Sequence, residues 1–187
     1  SEQRAVLRGR FIEEIFPVLT PLAMDPGHPF PFISNLALNL LAVVRYPEDS
    51  EGDDLLARVK VPVSQDVAPR FLRVPEDRDA FVALEDVIAD NLDLLFPGMS
   101  IVAAERFRVT RNAVVEKEED EADDLLALIQ SELRERHMAP IVRLEVGNGM
   151  DAGRRGMVMA ELGLEEADVF ERDGLLGLSD LMEIASI

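Results

Sequence analysis

Cysteine is absent from this sequence, and histidine is nearly so. The chain has 187 residues with no cysteine and two histidines. Without cysteine, disulfide bonds, thiolate metal sites and a cysteine nucleophile are all excluded. The histidines, His28 and His137, are about a hundred positions apart along the chain. We interpret His28 as a surface or packing residue in a proline-rich turn, and His137 as a cap of the helix that precedes it.

Catalytic sequence motifs are lacking as well. The sequence contains no HExxH, DxDxDG, GxGxxG, GxxxxGK[ST] or GxSxG pattern, and so offers no P-loop, metal triad or activated nucleophile. We therefore predict that the chain has no self-contained catalytic site. An independent hydrolase is the weakest of the functions that the sequence allows.

Basic residues are scarce. Lysine and arginine number 19 against 37 acidic residues, which gives a formal net charge of −18. Such a surface repels nucleic acid, anionic lipid and other polyanions at long range. The charge predicts that nucleic acid is not a partner and that any polyanion site is a local basic pocket.

Long apolar runs are also missing. Leu40–Val44 is among the longest, whereas a membrane-spanning helix needs about 20 apolar residues. The N-terminus, with charges spaced through it, does not resemble a signal peptide. Together with the absence of cysteine, these features favour a cytoplasmic location.

A proline-rich stretch is the most distinctive feature that is present. Prolines stand at positions 17, 21, 26, 29 and 31, and each fixes its own φ and removes a backbone donor. The phenylalanines between them can cover an apolar surface at little entropic cost. We interpret this stretch as a stiff docking segment, in which the packing residues are Phe16, Pro21, Pro29, Phe30 and Phe32.

Apolar periodicity divides the chain into helices and strands. Apolar residues make up 48% of the sequence, enough for a hydrophobic core. The pattern predicts helices at 2–16, 79–96, 118–136, 151–162 and from Ser179 onward, and strands at 39–45, 55–61, 70–74, 100–115, 141–146 and 168–171. These elements predict an α+β fold, in which helices pack on a mixed or antiparallel sheet after an N-terminal helix. The first helix begins without a capping signal, which suggests a piece of a longer protein.

The predicted helix 79–96 carries a group of acidic residues. Asp77 or Asp79 would cap it, and Glu85, Asp86, Asp90 and Asp93 lie largely off its apolar stripe. A divalent metal site is one interpretation. Solvated helix surface is the favoured one, because acidic residues are common on the exposed face of a helix.

The predicted strand 100–115 contains the one local concentration of arginine. Alternation places Arg106, Arg108 and Thr110 on one face, with Arg111 at the strand end or a bulge. These four residues are the candidate polyanion contacts, because guanidinium groups suit bidentate binding of phosphate. The alternative, which we favour about two to one, is that the arginines pair with neighbouring carboxylates.

Several segments resemble the middle, or head, domain of bacterial polyphosphate kinases. The long run FPVLTPLAMDPGHPFPFISNLALNLLAV at 16–43 is the most specific of them. The others, in order, are ARVKVP at 57–62, RFLRVP at 70–75, LEDVIADNLDLLFPGM at 84–99, FRVTRNA at 107–113, PIVRLEV at 140–146 and GLLGLSDLMEI at 174–184. The resemblance covers nearly the whole chain. It implies that residues 1–16 end a preceding helical domain or linker, and that 17–187 form the head domain.

The resemblance also implies a function for the parent protein. Enzymes of this family transfer the γ-phosphate of ATP reversibly to polyphosphate through a phosphohistidine, with Mg²⁺. Their catalytic residues lie in C-terminal domains, and an N-terminal domain contributes to ATP binding, so no catalytic, cofactor or metal residue is expected here. The expected partners are those N- and C-terminal domains and a neighbouring subunit of a homo-oligomer, in a cytoplasmic enzyme that can be peripheral to membranes. The alternative is a polyanion-binding module that lines a polyphosphate channel through the arginine strand.

Overall fold

The core of the molecule is a six-stranded mixed sheet. The computed structural model describes residues 2–25, 27, 29–47, 54–64, 68–75, 77–112 and 139–185. The strands are β1 Leu22–Met24, β2 Leu38–Arg45, β3 Leu55–Lys60, β4 Phe71–Val74, β5 Asp77–Ala83, β6 Ser100–Arg111, β7 Ile141–Gly147 and β8 Val169–Arg172. The large sheet has the order β1-β3-β2-β6-β7-β8, and β4 and β5 form a separate pair. Neighbours in the large sheet are antiparallel except β7 and β8, which are parallel. The predicted α+β class is confirmed.

The helices described lie before, between and after these strands. They are α1 Glu2–Arg10, α2 Leu84–Ala89, α3 Leu92–Leu95, α4 Ala152–Glu161 and α5 Met182–Ala185. None of the helices in the described ranges is both long and apolar enough to cross a bilayer. The predicted helix at 118–136, His28 and His137 lie outside the described residues.

Strand β2 lies at the centre because it is apolar on both faces. Its residues from Leu38 to Val44 are buried, which is typical of a strand covered on both sides. It pairs with β3 and β6, so that Leu40 lies between Val59 and Arg106. The predicted pairing of the first two strands is confirmed.

Each face of the sheet has its own hydrophobic core. The first core combines Leu40 and Val59 of the sheet with Phe11, which follows α1, and with two residues of α2, Leu84 and Ile88. The second core contains Leu41, Phe107, Val109, Leu144 and Val146 from the sheet, with Val158 of α4 and Ile33 of the proline-rich segment. Burying each such large side chain contributes roughly 1.5–3 kcal/mol. The two cores place α1 and α2 on one side of the sheet and α4 on the other.

The N-terminal helix is confirmed, although its end differs from the prediction. After α1 the chain continues as a π-helical turn at Phe11–Ile15 and a 3₁₀ turn at Phe16–Val18. Pro17 occupies the start of that 3₁₀ turn, where its missing N–H is tolerated. The helical path therefore runs one residue past the proline at which we expected it to end.

The prediction of a single helix over 79–96 is wrong in its first part. Residues Asp77–Ala83 form β5, which pairs with β4. Helix α2 begins only at Leu84, and its cap, Ala83, makes no side-chain capping bond. A second strand was available beside Phe71–Val74, and tertiary pairing of this kind overrides local helical preference. Asp77 and Asp79 are therefore strand residues.

The last two helices begin differently. Asp151 caps α4, since its Oδ1 accepts the backbone N–H of Gly153 at 3.0 Å and of Arg154 at 3.1 Å. Ser179 does not cap the last helix. The turn there begins at Leu178, after Gly177 in the left-handed conformation with φ +64°.

Strand β3 carries two basic residues, Arg58 and Lys60, whose surroundings differ. Lys60 is exposed, whereas Arg58 is buried. Its Nη1 donates to the carbonyl oxygen of Phe32 at 3.1 Å and to Oδ1 of Asn39 at 3.3 Å, and burial lowers its pKa. The proline-rich segment covers this face, a long-range contact that the strand pattern alone does not reveal.

Candidate functional site

The predicted arginine strand is β6, and its register defines one face of the sheet. Arg108 pairs with Glu145 of β7, and Glu145 pairs with Phe170 of β8. Paired residues project to the same side of a sheet. We call this surface the arginine face, and it comprises Arg106, Arg108, Thr110, Arg143, Glu145, Phe170 and Arg172. The predicted alternation is confirmed, because Phe107 and Val109 are buried on the opposite side.

The two predicted arginines on this face each meet a carboxylate. Arg106 pairs with Asp86 of α2. Arg108 Nη1 donates to Glu145 Oε2 at 2.9 Å, and its Nε donates to the carbonyl oxygen of Leu36 at 3.0 Å. The Arg108 side chain is only 15% exposed, so it is closed to a large ligand. Polyanion contact at Arg106 and Arg108 stays a prediction.

Arg111 is not part of the arginine face. A register shift separates it from Thr110. Its Nε and Nη2 donate to the carbonyl oxygen of Ile33 at 3.0 and 2.9 Å, and its Nη1 donates to that of Ala139 at 2.7 Å. The guanidinium carbon lies 4.5 Å from the ring centroid of Phe32, and burial lowers the pKa. These contacts join the proline-rich segment to the sheet.

Sequence reasoning missed the β7 and β8 half of this face. Arg143 donates to Glu145 Oε1 at 3.0 Å, and its guanidinium carbon lies 4.3 Å from the ring centroid of Phe170. Arg172 approaches the same ring at 5.6 Å. Alternation of Phe170 and Arg172 was visible in the sequence. The parallel pairing that places them beside Arg143 was not.

A buried ion pair lies beside the arginine face. Arg70 Nη2 and Glu85 Oε1 are 2.6 Å apart. Arg70 Nη1 also donates to the carbonyl oxygen of Gly177 at 2.9 Å and to Asp180 Oδ2 at 2.8 Å. Burial lowers the pKa of Arg70, but the hydrogen bonds that it donates to Glu85 and Asp180, with their charges, outweigh this effect and the net shift of the pKa is upward. Glu183 accepts the backbone N–H of Arg70 at 3.1 Å, so the chain near the C-terminus is held to β4.

The interpretation of the acidic residues as solvated surface is wrong for Glu85. Its carboxylate is fully buried against Arg70. Asp90 and Asp93 do lie at the surface, where they pair with Arg4 and Arg8 of α1 beside a cleft of about 450 Å³. Within the described ranges, no three histidine or carboxylate side chains gather in a way that could hold a metal ion.

The predicted docking residues are distributed between core and surface. Phe30 is half-buried and packs on the second core, and Pro21 is half-buried as well. Phe16, Pro29 and Phe32 are exposed. Docking of this segment against a partner stays a prediction.

Fold comparison defines the class of domain first. The crystal structure of polyphosphate kinase from Porphyromonas gingivalis matches 97% of this chain with a TM-score of 0.73 and 24% sequence identity, and the match covers 25% of that chain. The two proteins share this α+β fold.

Sequence comparison then identifies the family. The profile of the polyphosphate kinase middle domain matches residues 2–184. Polyphosphate kinase from Synechocystis sp. is 51% identical over all of this chain and 26% of its own length, and that from Mycobacterium avium is 47% identical over 97% and 26%. The chain belongs to the polyphosphate kinase middle domain family. It spans about a quarter of the length of these two relatives.

Proposed function

We propose that this chain is the head domain of a polyphosphate kinase. The parent enzyme transfers the γ-phosphate of ATP reversibly to polyphosphate through a phosphohistidine, with Mg²⁺. This domain supplies a rigid support and contacts to the other domains and to a neighbouring subunit, and it is inactive alone. The observation that carries the proposal is the family match over residues 2–184 in a chain about a quarter as long as its relatives.

The surface of the domain supports a role in assembly. Val6 of α1 and Ile12 of the following turn are each 46% exposed, and Leu178 and Met182 are 64% and 70% exposed. Exposed apolar surface marks a protein contact where it is contiguous, and we propose these two places as the contacts with other protein. The adjoining Arg70 contacts keep the segment of Leu178 and Met182 in place.

An assay of the isolated domain tests this proposal. We expect no polyphosphate from ATP and Mg²⁺, and no phosphate label on His28 or His137. The matched control is the double variant His28→Ala, His137→Ala. Label that appears on the native chain and disappears in this variant would contradict the proposal, because it would place a phosphorylated nucleophile inside the domain.

The second candidate is a polyanion-binding module that uses Arg106, Arg108, Thr110 and Arg111. Its support is the local charge of the arginine face, where the guanidinium groups of three arginines pair with only two carboxylates, those of Asp86 and Glu145, and a fourth, that of Arg172, lies over the ring of Phe170. Calorimetric titration with polyphosphate at two salt concentrations tests it, since binding through charge weakens as salt rises. Absence of binding at low salt would rule this candidate out.

A further inference from the structure

Arg172 is an arginine without an acidic partner at the edge of the sheet. In the part of the chain that the structure describes, no carboxylate lies within ion-pair distance of it. Its sequence neighbours bind elsewhere: Glu171 lies 3.6 Å from Arg155, and Asp173 accepts from Asn148. Arg172 therefore contributes a positive charge that no described carboxylate neutralises, on a chain with a net charge of −18.

The rest of the arginine face does not neutralise this charge. Glu145 uses one oxygen for Arg108 and the other for Arg143, so a single carboxylate serves two guanidinium groups. Asp86, which pairs with Arg106, is 43% exposed. A solvated pair of this kind is worth roughly 0–1 kcal/mol, so an anionic ligand can compete for Arg106. The face keeps a positive charge that its own carboxylates do not balance.

Phe170 fixes the position of two of these cations. Its ring lies 4.3 Å from the guanidinium carbon of Arg143 and 5.6 Å from that of Arg172. Contacts of a cation with an aromatic ring stabilise this arrangement by about 0.5–1 kcal/mol at exposed sites. Because the side chains are partly ordered in advance, a ligand loses less conformational entropy when it binds them.

Gly147 leaves an open position between Arg106 and Arg172. It pairs with Arg172 across β7 and β8, and a Cβ built on it would lie 3.7 Å from Cβ of Arg106. Arg106 and Arg172 are therefore two strands apart, or about 10 Å between backbones. Arg106 is directed to Asp86 and Arg172 to Phe170, so one small anion does not reach both.

We propose that the arginine face binds a linear chain of phosphates through Arg106, Arg143 and Arg172, with the chain passing over Gly147. A guanidinium group suits the bidentate binding of phosphate oxygens, and a chain spans a separation that a single phosphate does not. This inference rests on the second candidate function, but it moves the contacts from Arg108 and Arg111 to β7 and β8.

The test is a titration of the whole chain with long-chain polyphosphate, tripolyphosphate and orthophosphate at about 50 and 200 mM salt. We expect the affinity to rise with phosphate chain length and to fall with salt. Arg172→Ala should weaken polyphosphate binding about tenfold, which corresponds to about 1.4 kcal/mol, and Arg143→Ala with Arg172→Ala should weaken it further. The matched control is Arg4→Ala, which removes the same charge from an exposed position on α1 and should change affinity less than about twofold.

The outcomes separate the inference from the function on which it rests. If Arg172→Ala behaves like Arg4→Ala while Arg106→Ala weakens binding, the chain binds polyanions through β6, and the extension of the site over Gly147 to β8 is wrong. If the native chain binds no polyphosphate at the lower salt, both are wrong. Equal affinity for orthophosphate and tripolyphosphate would contradict a site built for a phosphate chain. Thermal unfolding of each variant shows whether a loss reflects the contact or the fold.

Discussion

Arg70 and Glu85 form an ion pair from which solvent is excluded on both sides. The two side chains are 1% and 0% exposed, and Nη2 lies 2.6 Å from Oε1. The pair joins the residue before β4 to α2, and the same guanidinium reaches Gly177 and Asp180 near the C-terminus. One arginine thus connects three segments that are far apart in sequence.

We predict that Glu85→Gln destabilises the domain by roughly 3–5 kcal/mol, because it leaves Arg70 charged and buried without its main partner. Chemical denaturation followed by circular dichroism measures the change. The control is Asp180→Asn, which removes the half-exposed partner of the same arginine and should cost about 1 kcal/mol or less. Equal losses of unfolding free energy in the two variants would show that the burial of Glu85 does not determine the cost of removing its charge.

A second prediction concerns Arg111 and the proline-rich segment. Arg111→Ala removes the donors to Ile33 and Ala139 and the contact with Phe32. We expect a loss of roughly 1–3 kcal/mol in unfolding free energy, since buried carbonyl groups lose their partners. Hydrogen exchange should rise in residues 29–35.

Arg111→Lys serves as the control for that variant. It keeps the charge but cannot reproduce three donated bonds in a fixed plane, so we expect most of the loss to remain. If Arg111→Lys is as stable as the native chain while Arg111→Ala is not, charge alone accounts for the effect, and the role of the guanidinium geometry is refuted.

The central strand allows a third prediction. Leu40 is fully buried in the first core between β3 and β6. Leu40→Ala should therefore cost about 2–5 kcal/mol, the range for a cavity in a packed core. Val142→Ala, at a residue that is 47% exposed on β7, should stay within about 0.5 kcal/mol. If Leu40→Ala lowers the unfolding free energy no more than Val142→Ala does, Leu40 is not a closely packed residue of the core.

Much of the sheet could be predicted from local pattern. The hairpin of β2 and β3, strand β7 and the Asp151 cap follow from alternation and from a favoured capping residue. Helix α2 was placed too early, because Phe81 and Leu84 also fit a helical stripe. Only the pairing of β5 with β4 resolves that ambiguity, because this local hairpin competes with the helical pattern for the same residues.

The candidate site was half visible in the sequence. Arg106 and Arg108 stand out as a cluster within one strand. Arg143 and Arg172 are 29 residues apart in the sequence, and neither belongs to a local cluster of arginines. Their proximity depends on the parallel pairing of β7 and β8, which strand alternation does not predict. Burial of Glu85 was missed as well, because its partner Arg70 precedes β4, outside the helix that carries Glu85.

The last prediction concerns pH and the contact of α1 with α3. A hydrogen bond from Arg8 lowers the pKa of Asp93 from its usual 3.8, and the two side chains are 2.6 Å apart. A carboxyl whose folded-state pKa is depressed contributes stability above its unfolded pKa, and this stability is lost as pH falls through the folded value. The native chain should therefore be more stable than Asp93→Asn at pH 6, and the difference should shrink below about pH 4.

Thermal unfolding from pH 6 to pH 3 measures this difference, with Asp77→Asn, at an exposed position on β5, as the control. The effect should be small, since both side chains are more than a third exposed. A difference that stays constant across this range would mean that Asp93 does not contribute through its charge.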